Sequence, residues 1–377
     1  MAKPALNPAW PTDPEAALLP VAPDGRPGPQ YHSHTVKFQG IPGLERTPGG
    51  RLYAIWYAGG PGEGPENYTC VVRSDDDGRT WTEPVLVIDP PRPVRAFDPM
   101  LWLDPRGRLW VFWAQSFAWH DGRVGVWCIT TDEPDAAAPR WSAPRRLAHG
   151  IALNKPTITR AGEWLLPVSV WGGKNPCHPV CQAECAANVY ASLDQGATWT
   201  RRGGALLDGR IFDEHMLVER ADGSLWMLIR TLYGIGESTS TDGGRTWSAG
   251  RDSKLGGPNS RFFVRRLASG RLLLVNHRVP QPVDPNNQWR TRNNLPAWLS
   301  EDDGRTWRGG LLLDERAGVS YPDGVQAPDG RLYVIYDYNR TQDREILMAV
   351  FTEDDVLAGA WRSPAARQRV LVSKGRG

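Results

Sequence analysis

Short apolar runs recur along this chain at long intervals, and each follows a turn glycine by one residue. Examples are residues 109–113, Leu-Trp-Val-Phe-Trp, and residues 272–275, Leu-Leu-Leu-Val. The preceding glycines stand at positions 50, 107, 162, 223, 270 and 330, so the steps between them are 47 to 61 residues. Glycine tolerates the positive φ of a tight turn, and an uninterrupted apolar run of this length is typical of a buried strand. The pattern predicts six β-hairpins.

A second repeat supports the count of six. The eight-residue pattern serine-x-aspartate-x-glycine-x-threonine-tryptophan occurs four times, at residues 74–81, 192–199, 240–247 and 300–307. Its aspartate can accept hydrogen bonds from the backbone amides of its own turn, and its glycine permits the positive φ that such a turn needs. Degenerate copies are predicted at residues 131–141 and 352–361, which brings the number of units to six.

Units of this length with about four strands each have the size of propeller blades. We therefore predict an all-β protein, with a six-bladed β-propeller of four-stranded antiparallel blades formed by residues 31–370 as a single domain. The proline-rich residues 1–30 are predicted to form an irregular arm, and residues 371–377 a frayed tail. The eight-residue repeat resembles the Asp box of the sialidase (neuraminidase) superfamily and of other BNR-repeat propellers, in which the box is structural.

Composition narrows the expected partners. The net charge is +2 and basic runs are short, so nucleic acid is not an expected partner. No stretch is apolar and long enough to predict a membrane span. The first residues lack the apolar core of a secretory signal, so a cytoplasmic location is expected. The 18 tryptophans suit both packing between blades and stacking on sugar rings, so carbohydrate is the expected partner, with the oligomeric state left open.

Three of the five cysteines form a separate pattern. Cys177, Cys181 and Cys185 are spaced four apart, with His178 beside the first. Thiolates and an imidazole can ligate zinc, but this spacing matches no common site. The group is therefore a weak metal candidate, and free thiols or one disulfide are the alternative. No metal or other cofactor is expected for the reaction considered below.

The order of residues around Glu214 resembles part of a sialidase active site. Glu214 precedes a strand, an aspartate–glycine turn and a second strand that ends at Arg230; Arg292 precedes the fourth Asp box and Tyr321 follows it. The resemblance implies that Tyr321 is a nucleophile, that Glu214 takes its proton, and that the two arginines bind a substrate carboxylate. A phenol is a weak nucleophile near neutral pH and needs such a base. The structural alternative is a packed Tyr321 and a Glu214–Arg230 ion pair.

Two features depart from the sialidase pattern. Sialidases begin the first blade with Arg-Ile-Pro, whereas this chain has Gly-Ile-Pro at residues 40–42, so one arginine is missing; Arg95 is a candidate to replace it. The aspartate that serves as the sialidase acid/base is absent too. The glycine- and proline-rich loop at residues 59–68 offers Glu63 or Glu66 instead, and Glu63 falls nearest the expected position, so it is the predicted acid/base.

Polar residues recur at one phase of the repeat, just ahead of the first strand of each predicted blade. This shared phase predicts a polar pocket on one face of the propeller. Asp98 and Asp323 would be reserve carboxylates if the reaction were inverting, because that mechanism needs a base to activate water. The further predicted substrate-binding residues are Arg95, Asp98, Asn154, Lys155, Arg261 and Asp323.

The sequence thus predicts a sialidase-like exo-glycosidase, retaining in mechanism, that hydrolyses a terminal and possibly acidic sugar from an oligosaccharide or glycoconjugate. Two alternatives come from other classes. One is a polysaccharide or uronate lyase on the same face, in which Tyr321 or a histidine abstracts a proton. The other is a non-catalytic carbohydrate-binding propeller, because a fold alone does not establish activity.

Overall fold

The computed structural model describes residues 7–120, 123–172, 177–277 and 292–377. Over these residues the chain forms six sheets of four antiparallel strands each, joined in sequence order. The six-bladed β-propeller predicted from the two repeats is confirmed. The sole α-helix of the described chain, α1 at Glu353–Ala358, lies between the last two strands.

The first three blades hold strands β1 to β12, and the first strand of each lies innermost. The first blade has β1 to β4, at Gln39–Arg46, Leu52–Ala58, Tyr68–Ser74 and Leu86–Ile88. The second has β5 to β8, at Val94–Leu103, Leu109–Phe117, Gly125–Thr131 and Arg145–His149. The third has β9 to β12, at Thr157–Ile158, Trp164–Ser169, Ala187–Ser192 and Thr200–Ala205.

The last three blades repeat this order. The fourth has β13 to β16, at Arg210–Glu219, Leu225–Thr231, Gly234–Ser240 and Arg251–Asp252. The fifth has β17 to β20, at Phe263–Arg266, Leu272–Val275, Leu295–Ser300 and Arg308–Asp314. The sixth has β21 to β24, at Val319–Gln326, Leu332–Tyr338, Glu345–Phe351 and Arg367–Lys374. Strand β1 packs against both β5 and β21, which closes the ring around a central channel.

The hydrophobic core lies between neighbouring blades. All seven residues of β2 are buried, because the sheet is covered on both faces. Trp56 of the first blade belongs to one cluster with Ile335 of the sixth, and Trp110 of the second blade belongs to another with Trp164 of the third. Continuous apolar runs, rather than alternating ones, are therefore what this architecture requires of its middle strands.

The Asp boxes connect the third and fourth strands of their blades. In the fourth blade, Asp242 accepts hydrogen bonds from the backbone and hydroxyl of Thr246 and from the hydroxyl of Ser240. Equivalent bonds from Thr80, Ser74 and the turn amides lower the pKa of Asp76 to about 2. Each box is thus closed by partners within a few residues of its own aspartate.

Two expectations about the chain differ from the structure. The degenerate box expected at residues 352–361 is helix α1, because Thr352 and Asp355 cap its first turn reciprocally. The residues expected to fray from position 371 include the end of β24, and the final backbone amides donate to carbonyls of Ser33 and Val36. The C-terminus is therefore held against the N-terminal arm.

The N-terminal arm lies along the first two blades. It contains short 3₁₀ turns at Pro14–Leu18, Pro29–Tyr31 and Ser33–Thr35. The Gln115 side chain donates hydrogen bonds to the carbonyl oxygens of Ala17 and Leu19. No helix in the described ranges combines the length and apolarity needed to cross a bilayer.

Candidate active site at the mouth of the central channel

Four inner strands are interrupted at one end of the channel, and these interruptions position the candidate site. The ladder register shifts between Gly40 and Gly43, Phe97 and Met100, Asp213 and Met216, and Ser320 and Asp323. Each irregular segment holds a non-glycine residue with positive φ: Ile41 (60°), Asp98 (45°), Glu214 (43°) and Tyr321 (56°). Such bulges redirect side chains, and backbone strain of this kind concentrates at functional sites. Here three of the four strained residues bear a reactive group.

Tyr321 and Glu214 meet although they are far apart in sequence. The Tyr321 hydroxyl donates to Glu214 Oε1 at 2.7 Å, and Arg230 Nη1 donates to the same carboxylate oxygen at 2.5 Å. Arg230 Nη1 also lies 2.6 Å from the Tyr321 oxygen, to which it donates. The proposed base and the structural ion pair therefore coexist. In the described part of the chain, Glu214 Oε2 is buried and accepts no hydrogen bond.

The electrostatics keep the Tyr321 phenol neutral in the resting protein. Burial raises its pKa above the ordinary value and the nearby Glu214 carboxylate raises it further, while the positive charges of Arg230, Arg292 and Arg340 oppose these effects. Removal of the proton thus requires an acceptor in direct contact, and the Glu214 carboxylate occupies that position. The arginines are placed to stabilise negative charge on the tyrosine oxygen once it forms.

Three guanidinium groups surround the Tyr321 ring. The distances from the guanidinium carbon to the ring centroid are 5.9 Å for Arg230, 5.4 Å for Arg292 and 4.3 Å for Arg340. Arg230 and Arg292 both donate to the backbone carbonyl of Asn259, at 3.2 and 2.9 Å. Burial, together with the charges of Arg230 and Arg340, lowers the pKa of Arg292 to about 10. The sequence comparison predicted the first two arginines and missed the third.

Arg340 lies in the turn after β22 and reaches from the sixth blade towards the first. Its Nε donates to Asp337 Oδ2 at 2.8 Å, and its Nη2 donates to the Ser320 hydroxyl at 3.0 Å. Its Nη1 donates to Glu63 Oε1 at 3.2 Å. In the sequence, Arg340 is a charged residue just beyond the end of a predicted hairpin. That position is equally typical of a solvent-exposed turn residue, so the sequence did not indicate a role in the site.

Glu63 lies on the loop predicted to carry the acid/base, and the loop is held in shape from within. Asn67 accepts a hydrogen bond from the Gly64 amide and donates to the carbonyls of Gly59 and Gly62. The Glu63 side chain is 35% exposed and contacts Arg340. Glu66, the other carboxylate of the loop, is exposed. Of the two, Glu63 is the one placed at the channel mouth.

Asp98 is the second carboxylate beside this group. Burial, followed by the negative charges of Glu214 and Glu63, raises the pKa of Asp98 to about 7, against the opposing charges of Arg95 and Arg340. Asp98 is therefore protonated over part of the physiological range and can donate a hydrogen bond. We call the residues that share these contacts and charges the mouth cluster: Glu63, Asp98, Glu214, Arg230, Arg292, Tyr321 and Arg340.

Arg95, the predicted replacement for the missing arginine, is buried among aromatic rings. Its guanidinium carbon lies 4.0 Å from the ring centroid of Phe97, 5.3 Å from that of Trp119 and 5.5 Å from that of Tyr57. Its Nη1 donates to the Trp119 carbonyl at 3.4 Å. Its charge acts on Asp98, whereas the third guanidinium beside Tyr321 is that of Arg340.

Four other residues predicted to bind substrate meet within the channel. Lys155 Nζ donates to the carbonyls of Leu44 and Leu101, at 2.5 and 2.8 Å, and lies 3.1 Å from Glu45 and 3.3 Å from Asp323. Arg261 donates to the carbonyls of Pro42 and Leu153 and to the Asn154 side chain. We call this group the channel cluster: Glu45, Asn154, Lys155, Arg261 and Asp323. Lys155 and Asp323 also help to line a cavity of about 450 Å³ between the third, fourth and fifth blades.

The cysteine loop shows thiols and no disulfide. None of the five cysteines, all of which lie within the described residues, forms a disulfide. His178 Nδ1 accepts from the Val180 amide, and Cys185 Sγ donates to the Trp171 carbonyl. Burial and the neighbouring Cys185 and Cys181 raise the pKa of Cys177 to about 12. Within the described ranges no group of three or more histidine, cysteine or acidic side chains is arranged to hold a metal ion, and this includes the weak candidate around Cys177.

The fold and the mouth cluster together define a six-bladed propeller with a tyrosine, three carboxylates and three arginines around its channel. The BNR repeat-like domain matches residues 50–334, well over half of the chain. The protein therefore belongs to the BNR repeat-like domain family.

Individual relatives are distant. The anhydrosialidase of Macrobdella decora is 29% identical over 208 residues, which are 50% of this chain and 25% of that protein. The structure of the Hadza microbial sialidase Hz136 has a TM-score of 0.66 at 19% identity, over 85% of this chain and 66% of its own. The intramolecular trans-sialidase of Ruminococcus gnavus, solved with oseltamivir carboxylate, has a TM-score of 0.64 at 15% identity, over 87% of this chain and 97% of its own. At these identities the structural similarities establish the fold.

Proposed function

We propose that this protein is a sialidase-like exo-glycosidase that removes a terminal acidic sugar by a retaining mechanism. The observation that carries the proposal is the 2.7 Å contact between the Tyr321 hydroxyl and Glu214, placed among three guanidinium groups. A tyrosine nucleophile suits an acidic sugar, because the neutral phenol approaches the substrate without charge repulsion. The arginines supply the charge-assisted hydrogen bonds that a substrate carboxylate requires.

In the first step the Tyr321 oxygen attacks the anomeric carbon and its proton passes to Glu214. The bond to the leaving-group oxygen breaks, and that oxygen takes a proton from Glu63. In the second step water gives a proton to the Glu63 carboxylate and attacks the anomeric carbon. The tyrosine oxygen then leaves and recovers its proton from Glu214. Two inversions at one carbon give net retention.

Glu63 and Asp98 take different roles because their environments differ. Glu63 is partly exposed, so it can exchange protons with solvent and admit the water of the second step. Asp98 is buried with a pKa of about 7, so it suits a hydrogen bond to a substrate hydroxyl. In this proposal Arg230 and Arg292 bind the carboxylate, and Asp98 orients the ring.

A glycoside panel tests the proposal with wild type, Tyr321→Phe and Glu214→Gln. The panel comprises sialosides, uronides and neutral sugars, and the products are followed by nuclear magnetic resonance to record the first anomer released. We expect hydrolysis of one acidic class with retention, and loss of turnover in both variants. Products with an ultraviolet-absorbing double bond would indicate a lyase instead. Hydrolysis indifferent to both substitutions would refute the assigned nucleophile and base.

A further inference from the structure

The stem of Arg340 lies across Gly40 in the first blade. A Cβ atom added at Gly40 would stand 2.6 Å from Cδ of Arg340 and 2.8 Å from its Cγ, which is closer than real Cβ atoms approach a neighbour. Gly40 is absent from the positive-φ residues, so its backbone conformation does not require glycine. Glycine is required there because the Arg340 side chain occupies the space that a Cβ atom would need. Any larger residue at position 40 must displace this arginine.

We propose that Arg340, from the sixth blade, is the third cation that holds the carboxylate of an acidic sugar, and that position 40 is a glycine to admit it. This inference rests on the proposed function and adds a residue that sets its specificity. The terminal nitrogens of Arg340 contact Ser320, the neighbour of the nucleophile, and Glu63, the proposed acid/base. Arg340 therefore reaches both sides of the reacting centre from the turn after β22, a segment that the sequence analysis did not implicate.

A purely structural role as the counterion of Asp337 accounts for only part of these contacts. Asp337 already accepts hydrogen bonds from the Ile41 amide at 2.8 Å and the Ser320 hydroxyl at 2.5 Å. Arg340 donates to Asp337 through Nε alone, which leaves its planar terminal fork directed at the mouth. Burial lowers the pKa of Arg292, and the charges of Arg230 and Arg340 lower it further, as expected for guanidinium groups that repel one another. A bound carboxylate would relieve that repulsion.

Binding calorimetry can test the role of Arg340 without relying on turnover. The probes are N-acetylneuraminic acid and glucuronic acid, each compared with its methyl ester, which removes the charge and keeps the ring. We expect Arg340→Gln to weaken binding of the acid that wild type prefers by at least about tenfold, since a charged hydrogen bond is lost. Binding of the ester should change little. Arg340→Lys should give an intermediate loss, because it keeps the charge and loses the fork.

Gly40→Ala tests the same role without altering any charge. It should reduce binding of the acid in the same direction, whereas Gly25→Ala should have no effect, because nothing lies within 4 Å of a Cβ at that position. This variant carries the test if Arg340→Gln does not fold. Unchanged acid binding in a folded Arg340→Gln or in Gly40→Ala would overturn the proposal. Equal binding of ester and acid by the wild-type protein would also overturn this proposal, even if that protein hydrolyses glycosides. The two proposals can therefore fail separately.

Discussion

The mouth cluster and the channel cluster both gather acidic and basic side chains around the central channel, yet they bond differently. In the channel cluster Lys155 and Arg261 donate to backbone carbonyls of other blades. In the mouth cluster Arg230 and Arg340 donate mainly to side chains, among them Glu214 and Glu63. A buried cation satisfied by backbone carbonyls ties strands together, whereas one held beside a reactive phenol can respond to a ligand.

The largest expected difference between the clusters is in catalysis, and Tyr321→Phe exposes it. This change removes one oxygen atom and the nucleophile, and should lower kcat by at least about a thousandfold. The thermal midpoint should change little, because the ring still packs. Steady-state kinetics and calorimetric unfolding of the same preparation measure both quantities. If the variant kept a nearly normal kcat, Tyr321 would have a structural role, like the residues of the channel cluster.

Lys155→Met should show the opposite behaviour. It leaves Glu45 buried without its cation and removes one of the two cations beside Asp323, and breaking a buried ion pair in this way costs roughly 3–5 kcal/mol. Chemical denaturation should therefore show a large loss of unfolding free energy. Lys254→Met, at an exposed lysine, is the matched control and should be nearly neutral. A stable Lys155→Met that has lost only substrate binding would return Lys155 to the predicted binding residues.

Glu63→Gln separates proton donation from nucleophilic attack within the mouth cluster. For substrates with poor leaving groups kcat should fall by about a hundredfold or more, because the departing oxygen is no longer protonated. Aryl glycosides such as 4-nitrophenyl derivatives leave without that proton, so the first step on them should be largely preserved. Burst kinetics with both substrate types measures the contrast. An equal loss on both types would assign Glu63 a different role.

Asp98→Asn is expected to change how the unfolding free energy depends on pH. The folded pKa of about 7 lies above the unfolded value near 4, so the folded state binds one more proton between these limits. Asp98 therefore lowers the unfolding free energy as pH rises from about 4 to about 7, by at most about 1.4 kcal/mol per pH unit. His215 and His277, with pKa values of about 4, act in the opposite direction.

Because both histidines are present in wild type and variant, the difference between the two proteins isolates Asp98. Relative to wild type, Asp98→Asn should gain stability as pH rises from 5 to 8. Denaturation curves at pH 5, 6.5 and 8 would measure this trend. A difference that is independent of pH would mean that Asp98 ionises at an ordinary pKa.

The repeats predicted the fold because their determinants are local. The Asp242 carboxylate accepts hydrogen bonds from Ser240 and Thr246, two and four residues away, so residues close in sequence specify the turn. The same local reasoning could have corrected the box expected at residues 352–361. Thr352 followed three residues later by Asp355 is a helix-capping pattern, and the structure forms that helix.

The candidate site was predicted in part for a related reason. Glu214, Arg230, Arg292 and Tyr321 keep an order along the chain that a comparison can detect, and the structure brings all four together. Arg340 was missed because its partners lie 20 residues away at Ser320 and 277 residues away at Glu63. Gly40 was interpreted as the loss of an arginine, whereas in the structure it accommodates one from another blade.

The sequence alone determined the number of blades, their hairpins and their Asp-box turns, since hydrogen bonds between near neighbours and runs of apolar residues specify each of them. Only the tertiary structure decided which polar residues of the inner strands face one another. Lys155 and Arg230 are both buried cations that were predicted to bind substrate, and the residues next to them in sequence do not distinguish their roles. The closure of the ring of blades distinguishes them, because it brings Lys155 to backbone carbonyls of other blades and Arg230 to Tyr321 and Glu214.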